Sequence, residues 1–197
     1  TVRGTDRLMT LTEISEAARD TANLPNGMEA GLDTRAVGKV ADPTFPNGCQ
    51  ICELEVDPET GAVEILRYCD VGEFGRVLNP MIVEGQIHGG VAQGLGQALM
   101  EDCRYDPDSG QLLSASFMDY TVPRADDLPN FETATKEILC TTNPLGIKGA
   151  GEAGTIGALA AVMNALMDAL APLGVRHIDM PATPETVWRT IRDTRQI

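Results

Sequence analysis

An α+β domain, with antiparallel β-hairpins packed against glycine-rich helices, is predicted by three features of the sequence. From Cys49 the apolar period is two, with Ile51, Glu53 and Glu55 alternating with Cys52, Leu54 and Val56. The run Asp57-Pro-Glu-Thr-Gly61 then turns the chain, and Val63 to Tyr68 returns it as the second strand of a hairpin. Two other stretches, Met81 to Met100 and Ala153 to Leu170, carry apolar residues at helical spacing and are rich in glycine or led by it.

Taken in order, Thr10-Leu-Thr-Glu13 forms a capping-box pattern, and Leu11, Ile14, Ala17 and Ala18 recur at helical spacing, predicting a helix over 11–22. Pro25, Asn26 and Gly27 end it, and Pro43 and Pro46 break the weak pattern that runs on to Gly48. Cys49-x-x-Cys52 falls in the first strand, where residues three apart point to opposite faces, so a zinc or redox pair is not expected.

Asn79-Pro80 marks the start of the next helix, with Ile87, Val91, Leu95 and Leu99 four apart on one face. Gly85, Gly89, Gly90, Gly94 and Gly96 interrupt it, each costing about 0.8–1 kcal/mol against Ala. Something must therefore come close to that backbone, either a second helix or a bound cofactor. Glu84, Gln86, His88, Gln93 and Gln97 exclude a membrane span here. His88 has no second His or carboxylate at i+4 and reads as a hydrogen-bonded structural residue. Gln93 can both donate to and accept from a heteroaromatic edge.

Tyr105-Asp-Pro-Asp-Ser-Gly110 before Gln-Leu-Leu signals a second hairpin, and 132–139 a further strand. With connections this short, all strands are expected to be antiparallel. Residues 143–170, NPLGIKGAGEAGTIGALAAVMNALMDAL, then run from a glycine loop into a helix, with Glu152 at the junction and Ile156, Leu159, Met163, Leu166 and Leu170 as its core stripe. Glycines allow a backbone to approach a ligand, and helix N-termini present free N–H groups to it, so a carboxylate held there can act on a bound molecule. It can equally be an acid that complements the helix dipole. Gly149-Ala-Gly151-Glu-Ala-Gly154 also has the G-x-G-x-x-G form of a dinucleotide site, though no hydrophobic strand precedes it. Gly174 closes the segment, and Thr183-Pro184 starts a last helix carrying Val187, Trp188 and Ile191.

With 29 acidic against 15 basic residues, the formal charge of −14 argues against nucleic acid or an anionic membrane as partner. Five scattered cysteines form no disulfide framework and fit a reducing cytoplasm. The chain opens at Thr1 and reads like the interior of a larger polypeptide.

GRVLNPMIVEGQIHGGVAQGLGQAL from Gly75 and GIKGAGEAGT from Gly146 closely resemble the molybdenum-binding large subunit of the xanthine dehydrogenase and aldehyde oxidase family. SFMDYTVPRADDLP from Ser116 and DMPATPETVW from Asp179 resemble it too. The resemblance implies that residues 1–197 are the closing part of a molybdopterin-binding domain, a fragment or separate chain of a larger subunit. It further implies that Glu152 is the general base beside molybdenum, and that Gln93, Gly94, Lys148, Gly149, Ala150 and Gly151 lie on the pterin cofactor, in its cytosine dinucleotide form. No residue of this stretch is implied as a metal ligand. Partners implied are the remainder of the molybdenum subunit, 2Fe-2S and FAD chains or domains, and a small substrate such as an aldehyde or N-heterocycle, within an oligomeric complex. A base at a helix N-terminus has its basicity lowered, so a buried apolar surround would be needed to restore it. A nicotinamide-dinucleotide domain and a non-catalytic interaction module are the other classes open to these residues.

Overall fold

The computed structural model describes residues 1, 3–39 and 42–195. It falls into two compact units, Thr1–Lys39 and Val40–Ile197.

In the first unit, α1 (Leu11–Ala17) has the expected capping box, with Thr10 and Glu13 satisfying each other's backbone N–H groups. It stops at Ala17 rather than residue 22. Arg19 and Asp20 turn back onto Glu16 and Ala17, Asp20 caps a 3₁₀ turn at Thr21–Asn23, and α1 buries no residue that would hold another turn in place.

The second unit is built on a three-stranded mixed sheet in the order β1-β2-β3. β1 (Asn47–Val56) and β2 (Val63–Glu73) form the predicted hairpin, longer than expected, with a bulge where Glu53 pairs with Arg67 and Leu54 with Ile65. The bulge lets both flanks of β2 keep one apolar face, so that Gln50, Cys52, Leu54 and Val56 lie in register with Asp70, Tyr68, Ile65 and Val63. Cys49 is exposed on the other face, while burial pushes the Cys52 thiol up to about 11. The two thiols do not form a site.

α2 (Pro80–Leu99) follows, capped by Asn79, and leads to β3 (Phe131–Thr135), which lies parallel to β2. The all-antiparallel expectation is thus corrected. A twenty-residue helix and a long loop form the crossover that a parallel pair requires, and the short turns belong to other connections. The second hairpin reduces to one bridge, Tyr105 to Leu112, around a turn closed by Asp106 and Gly110. β3 ends at Thr135 and not at 139.

α3 (Ala153–Leu170) packs on both α2 and β1. Its buried row is Gly154, Ala158, Val162, Leu166 and Leu170. Ile156, expected in the core, is 69% exposed, and Leu159 and Met163 are only partly buried. The small residues of the true row fit against the glycines of α2: a Cβ on Gly94 would stand 2.6 Å from the Ala158 methyl carbon, and one on Gly154 would stand 2.6 Å from the Ile87 carbonyl oxygen. Close helix contact therefore accounts for Gly90, Gly94 and Gly154, whereas Gly85 and Gly89 face open space. Residues Ala153–Leu173 are long and apolar enough to cross a membrane by length and composition. One row of this stretch is buried against α2 and β1, and 22% of its apolar window is buried within the chain.

α4 (Pro184–Arg195) starts at the predicted cap, with Thr183 Oγ1 accepting the Thr186 N–H at 3.3 Å, and buries Val187 and Ile191. Its first turn sits on the β1–β2 turn. Gly61 has φ +74°, and a Cβ there would lie 2.0 Å from the Pro184 carbonyl oxygen.

Candidate functional site: the Glu152 loop and the α2 face

Three tethers place the loop before α3. At its start, Lys148 N–H donates to the Phe74 carbonyl at 2.9 Å, and Ile147 bridges Gly75, whose φ of +64° and crowded Cβ position demand glycine. In its middle, Gly149 N–H donates to Thr44 Oγ1 at 3.2 Å. At its end, Gln86 Nε2 of α2 donates to the Gly151 carbonyl at 3.0 Å. One turn further, Thr155 Oγ1 donates to the Gly90 carbonyl at 3.0 Å and contacts Gln93 Oε1 at 3.2 Å. Gln86, Gly90 and Gln93 share one helix face, so the loop and the first turn of α3 lie along it.

Glu152 is exposed at the N-cap position of α3, with φ −115° and ψ 2°, and its side chain makes no capping hydrogen bond. A carboxylate there for helix stability alone would be expected to use its oxygens on the first-turn N–H groups. The apolar surround that a general base needs is not supplied by the described residues. Gly149 and Gly151 are exposed, with nothing within 4 Å of where a Cβ would project. Ala150 is half-buried against the core.

Gln93 is exposed beside Thr155, but Gly94 is buried and its open side is filled by α3. Lys148 is engaged elsewhere. Its ammonium pairs with Glu73, both side chains being largely buried, and Glu73 also accepts from Gly75 N–H at 2.7 Å and Asn47 Nδ2 at 3.1 Å. The Lys148 hydrogen bond, ahead of the Gly75 and Asn47 bonds and against the effect of burial, holds Glu73 at about 2. His88 packs edge-on to Phe131 at 5.4 Å, and its buried Nε2 has no hydrogen-bond partner, contrary to the expected hydrogen-bonded histidine. Among the described residues, no group of three His, Cys, Asp or Glu side chains could hold a metal ion.

Gln86 carries a local signal in the sequence, its seven-residue spacing from Gln93 marking a shared face, and Glu73, Thr155 and the Gln50–Tyr68–Asp70 group under α3 carry no signal as local.

The family model of the molybdopterin cofactor-binding domain matches residues 1–129. The chain belongs to that family. It is 42% identical over 173 residues to the nicotine 6-hydroxylase large subunit of Paenarthrobacter nicotinovorans, covering 88% of this chain and 21% of that protein. Of solved structures, the quinoline 2-oxidoreductase of Pseudomonas putida 86 is similar at 41% identity and a TM-score of 0.81, over 87% of this chain and 22% of that one. The Cu,Mo-CO dehydrogenase in its carbon monoxide reduced state is similar at 32% and 0.85, over 95% and 23%. The chain thus spans less than a quarter of the length of these relatives. The family match ends before the glycine loop, and the likeness to the CO dehydrogenase structure, over 95% of this chain, supports the α+β fold.

Proposed function

We propose that this chain forms the Glu152 side of the active site of a molybdenum-dependent hydroxylase, acting on an electrophilic ring carbon of an N-heterocycle. The observation that carries the reading is the exposed, uncommitted Glu152 carboxylate, held between an open glycine loop and the Gln93 face of α2. The residues present fit a pterin group on one side. Gly149 and Gly151 leave open space, Gln93 offers a carboxamide, and the α3 N-terminus suits anionic oxygens. When bound, the molybdenum-pterin group supplies the two-electron redox chemistry.

In this reading a Glu152 carboxylate oxygen accepts a proton as water-derived oxygen is transferred to substrate, and Gln93 orients the pterin edge. Gly149, Ala150 and Gly151 let the backbone approach the cofactor, and Gly94 and Lys148 act indirectly, through helix packing and the Glu73 pair. The remainder of the subunit supplies the apolar walls that raise the basicity of Glu152. Cofactor in the cytosine dinucleotide form, 2Fe-2S and FAD partners that carry electrons away, an oligomeric assembly and a cytoplasmic setting complete the proposal. The N-heterocycle class is favoured over aldehydes because relatives named for nicotine and quinoline stand at 42% and 41% identity.

The test is Glu152→Gln in the intact subunit with its partners. Molybdenum and pterin content should persist while kcat falls about 10²- to 10⁴-fold. Full cofactor with a rate within about threefold of wild type, far inside that gap, would remove Glu152 from the mechanism.

A further inference from the structure

Gln50 projects from the inner face of β1 into the first turn of α3, the turn that begins at Glu152. Its Nε2 lies 3.1 Å from both the Ala153 and the Gly154 carbonyl oxygens and 2.6 Å from Asp70 Oδ2. Its Oε1 accepts the Tyr68 hydroxyl at 2.6 Å. Tyr68 is fully buried and Asp70 is 3% exposed, so the two neighbours that orient the carboxamide are themselves fixed by packing. The amide is seated where α3 has no side chain: a Cβ on Gly157 would meet Gln50 Cδ at 2.5 Å and Oε1 at 2.6 Å. Both ends of the carboxamide are used, and the amide reaches α3 at the two residues that directly follow Glu152.

We propose that Gln50 is a positioning residue, whose carboxamide, lodged in the gap at Gly157, ties the first turn of α3 to β1 and thereby sets where Glu152 stands. The functional part rests on Glu152 being the general base. Two other tethers, from Gln86 and Thr155, hold the same turn to α2, so loss of Gln50 leaves the helix in place but free to shift on its β1 side.

The experiment uses the intact subunit assembled with its cofactor and partners, comparing wild type with Gln50→Met, Gln50→Ala, Gly157→Ala and the double variant Gln50→Ala/Gly157→Ala. Two readouts are taken: hydrogen exchange at the amides of residues 156–160, whose acceptors lie in that first turn, and kcat per molybdenum. Gln50→Met keeps the volume and removes the hydrogen bonds. It should speed exchange of that turn at least about tenfold, leave α2 unchanged, and lower kcat per molybdenum roughly 10- to 100-fold, as displacement of a catalytic group does. Gly157→Ala, which expels the carboxamide, should reproduce both effects. In the Gln50→Ala background, where the gap is empty, Gly157→Ala should add nothing further, a non-additivity that a general loss of stability would not produce.

Unchanged exchange in both Gln50→Met and Gly157→Ala would overturn the tether. Faster exchange with unchanged kcat per molybdenum would overturn the positioning role while leaving the tether intact. If Glu152→Gln proves fully active, the parent reading fails, and exchange still decides whether Gln50 holds α3. Should Gln50→Met not assemble, Gly157→Ala carries both readouts.

Discussion

Glu73 is a buried carboxylate made stable by three donors, and it ties β2 to the loop that leads to Glu152. Its folded value of about 2 lies below the ordinary 4.5, so the pair contributes fully above that ordinary value and loses its contribution as pH falls from about 4.5 towards about 2. Lys148→Met should therefore raise the pH of acid unfolding towards the ordinary carboxylate range and leave stability at pH 9 lowered. A circular-dichroism titration that superimposes on wild type would contradict it. Neither partner of this bond was visible in the sequence as a pair, because 75 residues separate them and only the fold closes that distance. Glu152, by contrast, was legible, since the glycines around it and the apolar period after it are local signals. Gln50 was not read, although a glutamine on the inward positions 50, 52, 54 and 56 is an anomaly that alternation alone exposes.

At the scale of elements, four of the five glycines of α2 divide into two kinds, while Gly96 is closed off by Glu101 and Pro123. Gly90 and Gly94 touch α3, so either one changed to Leu should destabilise the chain by several kcal/mol through overpacking, read as a fall in urea midpoint. Gly85 and Gly89 meet nothing, and each changed to Ala should stabilise this chain by up to about 1 kcal/mol through helix propensity. A uniform response across all four would show that packing does not sort them. The sequence announced that something must approach α2 but not what. The stripe expected on α3 was drawn through its largest residues, and Ile156 proved exposed, because the approach of α2 selects Gly154, Ala158 and Val162 for smallness. The hairpin was readable from period and turn. The parallel pairing of β3 was not, since direction is set by a crossover made of α2 and the long loop after it, and no short-range pattern encodes it.

For the whole molecule, a pterin site needs walls from several segments, and in the function proposed above this chain brings two of them, the α2 face and the Glu152 loop. The polypeptide of 197 residues alone should hold no stoichiometric molybdenum cofactor after gel filtration, and retention of pterin and metal at one per chain would contradict that. The sheet carries a related consequence. β1, β2 and β3 are roofed by helices on one face, while Ile51 and Val71 on the other are 64% and 47% exposed in this chain. The same face carries Glu53, Glu55 and the Arg67–Glu132 pair, yet apolar side chains laid bare on a sheet still favour association between copies. What keeps copies apart is mutual repulsion from a formal charge of −14. Such repulsion reaches about 10 Å at 0.1 M salt but only about 3 Å at 1 M. The isolated chain should accordingly be a dispersed colloid in dilute buffer and should begin to scatter light as sodium chloride is raised. Its counter-ions, as much as its fold, decide whether it can be handled on its own.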